Sequence, residues 1–573
     1  MKPLSFPGLV ATYKWLFAAV VILTFVANGL YVYIPRLSAS VIDQANAASG
    51  LAGAYPALIT LAVVAVVALV STSVQVFVSG YFSEKVALDL RNKVIDKLGD
   101  QSFGYISKAG SGKLLTNATS DVEAVKNVLS QGLSTLLGAL IVLVGTIVLL
   151  LSINWRLGLI VLAVIPLLLL TMFLVFSKLG AFFNKAQQNL ESINSLVNET
   201  IVGSALIRVL GSGGSENKKF SVVNGISRDV GFSIIKYISA LIPVITLLSN
   251  ISVMLIIWFG GLQVIGGGLT IGEFSAFMSY SALFVWPLFV LAFVGTSISR
   301  GGISLGRINE VLMAPIEEGT GTVTDEVKGD IEFKNVSLAY KDESGTEKTV
   351  VKDVSFSIRA GTKTAIVGPT AGGKTQIFYL LTGLVDPTQG SVFVDGKNLN
   401  EYNKESFLSH VGLVFQDSLM FNTTFRENIA LSGEVNEEVL AKAIKAAELE
   451  DLVKKLPKGL DTLVSERGTS LSGGQKQRIM LARALARNPK VLLLDDFTAR
   501  VDQATESLIL GNVKSMYPDT TLISITQKIN LITDYDSIIV VMEGEMLAQG
   551  THEELLKNSF EYRQMFESQQ TAH

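Results

Sequence analysis

Cysteine is absent from the 573 residues, histidine occurs three times, and charged side chains make up only 17% of the chain. The first absence excludes disulfides, thiolate zinc sites and a cysteine nucleophile, and carries no information about compartment. A net charge of −3 offers no electrostatic footprint for nucleic acid, so no nucleic-acid partner is expected. Apolar length takes the place of charge. Hydrophobic residues reach 49% and mean hydropathy is +0.45, which are values of a membrane protein rather than of a large soluble one. The chain is also too long for one core, so at least two domains are expected.

The apolar residues gather into six spans: Trp15 to Ile34, Tyr55 to Phe82, Val128 to Trp155, Leu157 to Ser177, Tyr237 to about Ile265, and Phe274 to Ser299. As helices of about 20 residues or more, all are long enough to cross roughly 30 Å of hydrocarbon. Only Arg156, near Asn154, separates the third from the fourth, which predicts a tight hairpin. The gaps Ser83 to Asn127 and Lys178 to Lys236 are rich in lysine and arginine, whereas the remaining linkers hold almost none. By the positive-inside rule both gaps and both termini are cytoplasmic, giving a multi-pass protein of an inner or plasma membrane with the lipid bilayer as its surroundings. Val86, Leu90, Val94 and Leu98 keep helical spacing among the charges, so the helices continue beyond the bilayer. Breaks at Ser107 to Gly112 and Gly211 to Ser215 read as turns at the cytoplasmic tips. Within the spans the polar candidates are Asn28, Gln75 and Asn250, and no ionisable residue stands out. That pattern points to small apolar or amphipathic cargo.

Composition changes after Arg307. Residues 1–310 read as an α-helical six-span transmembrane domain with two cytoplasmic loops, and residues 311–328, with Pro315, Gly319 and Gly321, read as a linker. Residues 329–573 alternate short apolar strands with amphipathic helices, the pattern of an α/β domain. Ile331 to Phe333 and Val354 to Ile358 are predicted strands; Ala441 to Leu449 and Ser507 to Val513 are predicted helices.

In this second domain Gly368-Pro369-Thr370-Ala371-Gly372-Gly373-Lys374-Thr375 joins the apolar run Thr364 to Val367 to a helical pattern beginning at Gln376. This is a phosphate-binding loop, G-x-x-x-x-G-K-T. Glycines let backbone N–H groups turn inward on a polyphosphate, the helix start adds partial positive charge, Lys374 reaches the outer phosphates, and the Thr375 hydroxyl suits Mg2+. Lys490 to Leu494 is an apolar strand ending in Asp495, a carboxylate placed to hold the metal through water. Between the two lies the octet Leu471-Ser472-Gly473-Gly474-Gln475-Lys476-Gln477-Arg478.

With these motifs in this order, the chain resembles a half-transporter of the ATP-binding-cassette exporter family over nearly its whole length. The resemblance implies ATP and Mg2+ as ligands and assigns roles one residue at a time. Tyr340 matches the aromatic residue that stacks on adenine, and Gln416, in Val414-Phe415-Gln416-Asp417, matches the glutamine that touches Mg2+ and links the site to the membrane helices. Thr375, Gln416 and Asp495 are thus the implied metal ligands. Glu466 resembles an interdomain contact loop, and Ala499, Arg500, Val501 and Asp502 match the loop that crosses the dimer interface. Ser472, Gly473, Gly474 and Gln475 belong to the signature that covers the γ-phosphate held on a second chain's loop. The tips near Ser107 to Asp121 and Arg208 to Glu216 resemble the two coupling helices, the second reaching the partner's cassette.

Two positions depart from the family pattern. Asp496 stands where the family usually has Glu as general base, and Gln527 stands where the switch loop, Leu522 to Lys528, usually has His. A carboxylate one methylene shorter sits roughly 1 Å or more out of place and forfeits much of a 10²- to 10⁴-fold contribution. Glutamine can hydrogen-bond a phosphate but carries no proton or charge. His410, His552 and His573 lie elsewhere in the motif order. Asp496 and Gln527 are therefore the expected catalytic positions, both altered. The resemblance narrows to the degenerate-site subunit of bacterial heterodimeric multidrug exporters: a translocase that exports drugs, lipids or other amphipathic cargo and hydrolyses ATP mainly at a composite site formed with its partner chain. A homodimer with two slow sites, or an ATP-binding regulatory subunit that gates a partner, is the competing expectation.

Overall fold

The computed structural model describes residues 3–47, 50–316, 321–341, 346–431, 433, 435–465 and 468–571. It divides the chain into two compact units, Met1–Asp100 with Ala109–Pro315, and Gln101–Lys108 with Ile316–His573. Glu466 and His573 lie outside the described residues.

Among the described residues the first unit contains six helices long and apolar enough to span a bilayer: Lys14–Asn46, Ala52–Gly99, Ser111–Ile153, Trp155–Val202, Gly213–Ile265 and Ile271–Met313. At 48 residues the second is about 70 Å long, more than twice the hydrocarbon thickness, so much of it stands outside the membrane. That extension is held by packing, since Val86, Leu90 and Val94 are all buried. The third helix is broken from the fourth at Asn154, whose side chain accepts the Leu157 N–H at 3.1 Å and donates to Gln263 Oε1 at 2.6 Å. The hairpin follows from that cap. Asp43, near the end of the first helix, accepts from the Gly272 N–H and the Thr270 hydroxyl, both at 2.7 Å, and ties that end to the start of the sixth. Asn117–Asp121 and Val128–Gly132 in the third helix are π-helical turns, which re-aim the side chains that follow.

A cavity of about 1090 Å3 opens among the first, second, third and sixth helices, with Asn28 and Gln75 in its wall. Asn250 is exposed and takes no part in it. The cavity reaches past the apolar spans read from the sequence. Because the second and third helices run on unbroken past the apolar stretches, the cavity also includes Glu84 and Lys126, paired at 2.6 Å.

The second unit holds two sheets. Strands β1 (Ile331–Lys341), β2 (Glu347–Ile358), β4 (Gln389–Val394) and β5 (Lys397–Asn398) form an antiparallel sheet in the order β2-β1-β4-β5. Strands β3 (Lys363–Val367), β6 (Val411–Val414), β7 (Val491–Asp495), β8 (Thr521–Ile525), β9 (Ser537–Met542) and β10 (Glu545–Gly550) form the other, in the order β10-β9-β3-β8-β7-β6. It is parallel except for the β9–β10 hairpin. Alternation along each strand assigns residues to two cores: Ala365, Leu492, Leu494, Leu522 and Val540 face one, Ile366, Leu493, Ile523, Ile539 and Val541 the other. Burial on both faces is why these strands read as unbroken apolar runs. The span expected as a linker, 311–328, is divided. The sixth helix continues to Met313, while Val323 donates its N–H to Glu401 O at 2.9 Å and Val327 is buried in the second core, so the later residues belong to the α/β fold. The segment Gln101–Lys108 also belongs to this unit, with Phe103 5.2 Å from the Tyr379 ring. Of the segment Ser107 to Asp121, Ser107 and Lys108 fall in this unit, and Ala109 onward in the first.

Candidate nucleotide site

Strand β3 delivers the chain to the centre of the parallel sheet, and Gly368 turns it out at the carboxyl edge, where ligands of open α/β sheets bind. Only glycine fits there: a Cβ on Gly368 would lie 1.9 Å from the Val541 carbonyl. Gly373, at φ +91°, stands just before the helix Lys374–Leu381 and is pressed against the Val350 carbonyl. The β9–β10 turn, Glu543 (φ +50°) and Gly544 (φ +84°), supports the loop from below, with the Gly544 N–H donating to Gly372 O at 3.1 Å.

The result is a cavity of about 500 Å3 whose wall brings together Thr370, Ala371, Gly372, Gly373, Lys374, Thr375, Gln376, Gln416, Asp495, Asp496 and Gln527. Lys374 folds back and donates to the carbonyls of Gly368 at 2.9 Å and Pro369 at 2.7 Å. Burial pulls its ammonium below the ordinary lysine value, and the nearby Asp495 and Asp496 oppose that shift. Asp495 is pushed up, first by burial and further by Asp496, while its hydrogen bond from the Thr375 hydroxyl and the charge of Lys374 pull the other way. Gln527 Nε2 donates to Thr370 Oγ1 at 3.3 Å, so the switch loop touches the phosphate loop directly. Asp496 has φ +44°, and its N–H is held by Ile525 O at 3.0 Å.

These residues fit a polyphosphate and a hard cation. The loop provides inward N–H groups in a cradle too tight for a Cβ, with one buried ammonium beside it. Thr375, Gln416 and Asp495 offer oxygen donors only, the set that Mg2+ takes.

Tyr340 is not in the cavity wall. Its hydroxyl donates to Gln376 Oε1 at 2.6 Å, which ties β1 to the helix behind the phosphate loop. Ser472, Gly473, Gly474 and Gln475 also lie outside the wall. Ser472 and Gln475 form a reciprocal capping box on the helix Gly473–Leu485, and Gly473 and Gly474 lie against Arg500. Lys348, Lys352 and Glu543 line the cavity without having been singled out in the sequence, and β2 carries a register shift between the two lysines. Gln569, in the helix Phe560–Thr571, also went unnoticed. Its amide donates to Gln527 O at 2.6 Å and accepts from the Ile529 N–H at 3.0 Å, bracketing the switch loop. Nearby, Lys528 pairs with the buried Glu506 at 3.3 Å.

A phosphate loop at the edge of a parallel sheet, carried on the same chain as six spanning helices, defines a membrane protein with a nucleotide-binding domain. Residues 17–288 match the family described as "ABC transporter transmembrane region", and residues 351–499 the one described as "ABC transporter". The chain is 34% identical to an uncharacterized ABC transporter ATP-binding protein, YfiB, of Bacillus subtilis (strain 168), over 86% of each chain. It is 30% identical to YheI, a probable multidrug resistance ABC transporter ATP-binding/permease protein of the same organism, over 97% of this chain and 96% of that one. A solved bacterial Atm1-family ABC exporter with ATP bound shares the fold, with a TM-score of 0.78 and 23% identity over 98% of each chain. The chain belongs to the ABC transporter family, has the exporter fold, and is a multi-pass inner-membrane protein with a cytoplasmic nucleotide-binding domain.

Proposed function

We propose that this chain is one half of a heterodimeric exporter of amphipathic cargo, and that its own phosphate loop holds ATP while hydrolysing it slowly. One observation carries the reading: the two positions that would handle the attacking water are Asp496 and Gln527, set in the same cavity wall as an otherwise complete loop around Lys374. The Asp496 backbone is fixed by its bond to Ile525, so the shorter carboxylate cannot move forward to make up its reach. Gln527 orients through Thr370 but has no proton to pass.

Thr375, Gln416 and Asp495 would hold Mg2+, which when bound neutralises phosphate charge. Ser472 to Gln475 stand outside the cavity of their own chain, as befits a signature that completes a site on another. A partner is further supported by the tip near the fifth helix, where Leu206, Val209 and Leu210 are 62%, 83% and 67% exposed beyond the spanning segments. In this reading closure of two cassettes carries the Gln101–Lys108 segment with it and switches the spanning helices between inward and outward openings. The multidrug name of the relative YheI favours transport over a purely regulatory subunit.

The test is ATP turnover by the purified chain, alone and with a partner half-transporter that has Glu and His at the two altered positions. Slow turnover alone and brisk turnover in the pair are expected. Brisk turnover by the lone chain, abolished by Asp496→Ala, would overturn the heterodimer.

A further inference from the structure

Below the main cavity of the spanning unit lies a second one, of about 750 Å3, with a different lining: Arg91, Thr119, Ser120, Glu123, Ser297 and Arg300 are all in its wall. Asn127 lines both. Helical spacing shows that they are one groove. Glu84 and Arg91 on the second helix are seven residues apart, as are Val290 and Ser297 on the sixth, each pair within an uninterrupted α-helical stretch. Two turns of helix bring each residue back to nearly the same face. The upper part mixes apolar side chains such as Leu69, Val76, Val142 and Leu283 with polar ones such as Gln75, Gln131 and Ser134, and polar and charged side chains predominate in the lower part.

The charges of the groove do not balance. Arg91 pairs with Glu123 at 3.2 Å, and Lys126 bridges Glu84 at 2.6 Å and Glu123 at 2.8 Å. Three cations thus face two carboxylates, and among the described residues Arg300 has no ion pair or hydrogen bond. The hydroxyls of Ser120 and Ser297 share its wall and, among the described residues, have no hydrogen-bond partner, whereas Thr119 already donates to Leu115 O. An unpaired guanidinium with two hydroxyls beside it, placed where the larger cavity with its apolar patches ends, matches a single phosphate, sulfonate or carboxylate on an alkyl chain.

We propose that this groove binds an amphiphile with one anionic head group, the head at Arg300 with Ser120 and Ser297 and the chain in the upper cavity. The inference rests on the reading of the chain as an exporter of amphipathic cargo, and it specifies the charge of that cargo. The full chain with its partner, in phosphatidylcholine nanodiscs, is titrated with dodecyl phosphate, dodecanol and inorganic phosphate. Dodecyl phosphate binds the native protein more tightly than either of the others. Arg300→Gln weakens it by about tenfold or more, the loss of one charge-assisted contact, and leaves dodecanol binding unchanged. Arg300→Lys restores part of the loss, and Ser297→Asp, which adds a like charge to the wall, weakens the same probe in a second background. ATP binding at the Lys374 loop reports that each variant is folded. Equal binding of inorganic phosphate would assign the site to a free anion, and an Arg300→Gln variant that still prefers dodecyl phosphate would make Arg300 a mere anchor to bulk lipid. Either result overturns the inference. Cargo-stimulated turnover with dodecanol but not with dodecyl phosphate would also overturn it while leaving the exporter reading intact.

Discussion

Asp496 occupies a left-handed backbone position, φ +44°, that aspartate tolerates several times better than most residues. Lengthening the side chain alone therefore trades reach against strain of order 1 kcal/mol. Asp496→Glu by itself is expected to recover little. Paired with Gln527→His, which restores a proton carrier, it is expected to raise turnover at this chain's site by at least about tenfold, read as ATP hydrolysis in an assembly whose partner lacks its own base. An unchanged rate would show that the slow site has another cause. Lys374 gives a pH dependence. Burial lowers its value in the empty site, so above that lowered value the ammonium must regain a proton before it can meet phosphate. ATP affinity is expected to fall as pH rises toward 10, earlier than an exposed lysine would allow; constant affinity from pH 7.5 to 10 would contradict this.

The switch loop is held from behind by the helix Phe560–Thr571, through one side chain that donates to the Gln527 carbonyl and accepts from the Ile529 N–H. Gln569→Ala removes both bonds, each worth about 0.5–1.5 kcal/mol, and leaves two backbone groups to find water. Faster hydrogen exchange at the Ile529 amide is expected, with ATP affinity preserved; unchanged exchange would show that the helix does not secure the loop. Gly368 is the opposite case, a position with no freedom at all. Gly368→Ala forces a Cβ against the Val541 carbonyl at the junction of β3 and the phosphate loop, and loss of ATP binding with a lower unfolding temperature is expected in a thermal melt.

Across the whole chain, the segment Gln101–Lys108 joins two long spanning helices yet packs with the α/β unit, where Phe103, Tyr379 and Phe415 form an aromatic series at 5.2 and 6.5 Å. Phe415 precedes Gln416 in the cavity wall, so this series runs from the segment to the nucleotide site. Phe103→Ala, which removes an aromatic pair worth about 0.5–1.5 kcal/mol, is expected to abolish cargo stimulation of turnover while leaving basal turnover near its native level. Loss of both together would point to a folding defect.

The same contrast separates local features of the chain from those that depended on the fold. Spanning helices, the phosphate loop and the altered Asp496 and Gln527 were all legible in advance, because each is a local pattern: apolar length for the bilayer, glycine spacing for phosphate, residue order for the motifs. Tertiary structure alone decided that Val323 and Val327 join the cassette, that Tyr340 reaches the site only through Gln376, that Gln569 brackets a loop about 40 residues earlier, and that Arg300 is the cation left over. Pairing is the physical reason. A charge or an amide is spent or spare only with respect to neighbours that folding brings to it, and chain distance says nothing about which neighbours those are.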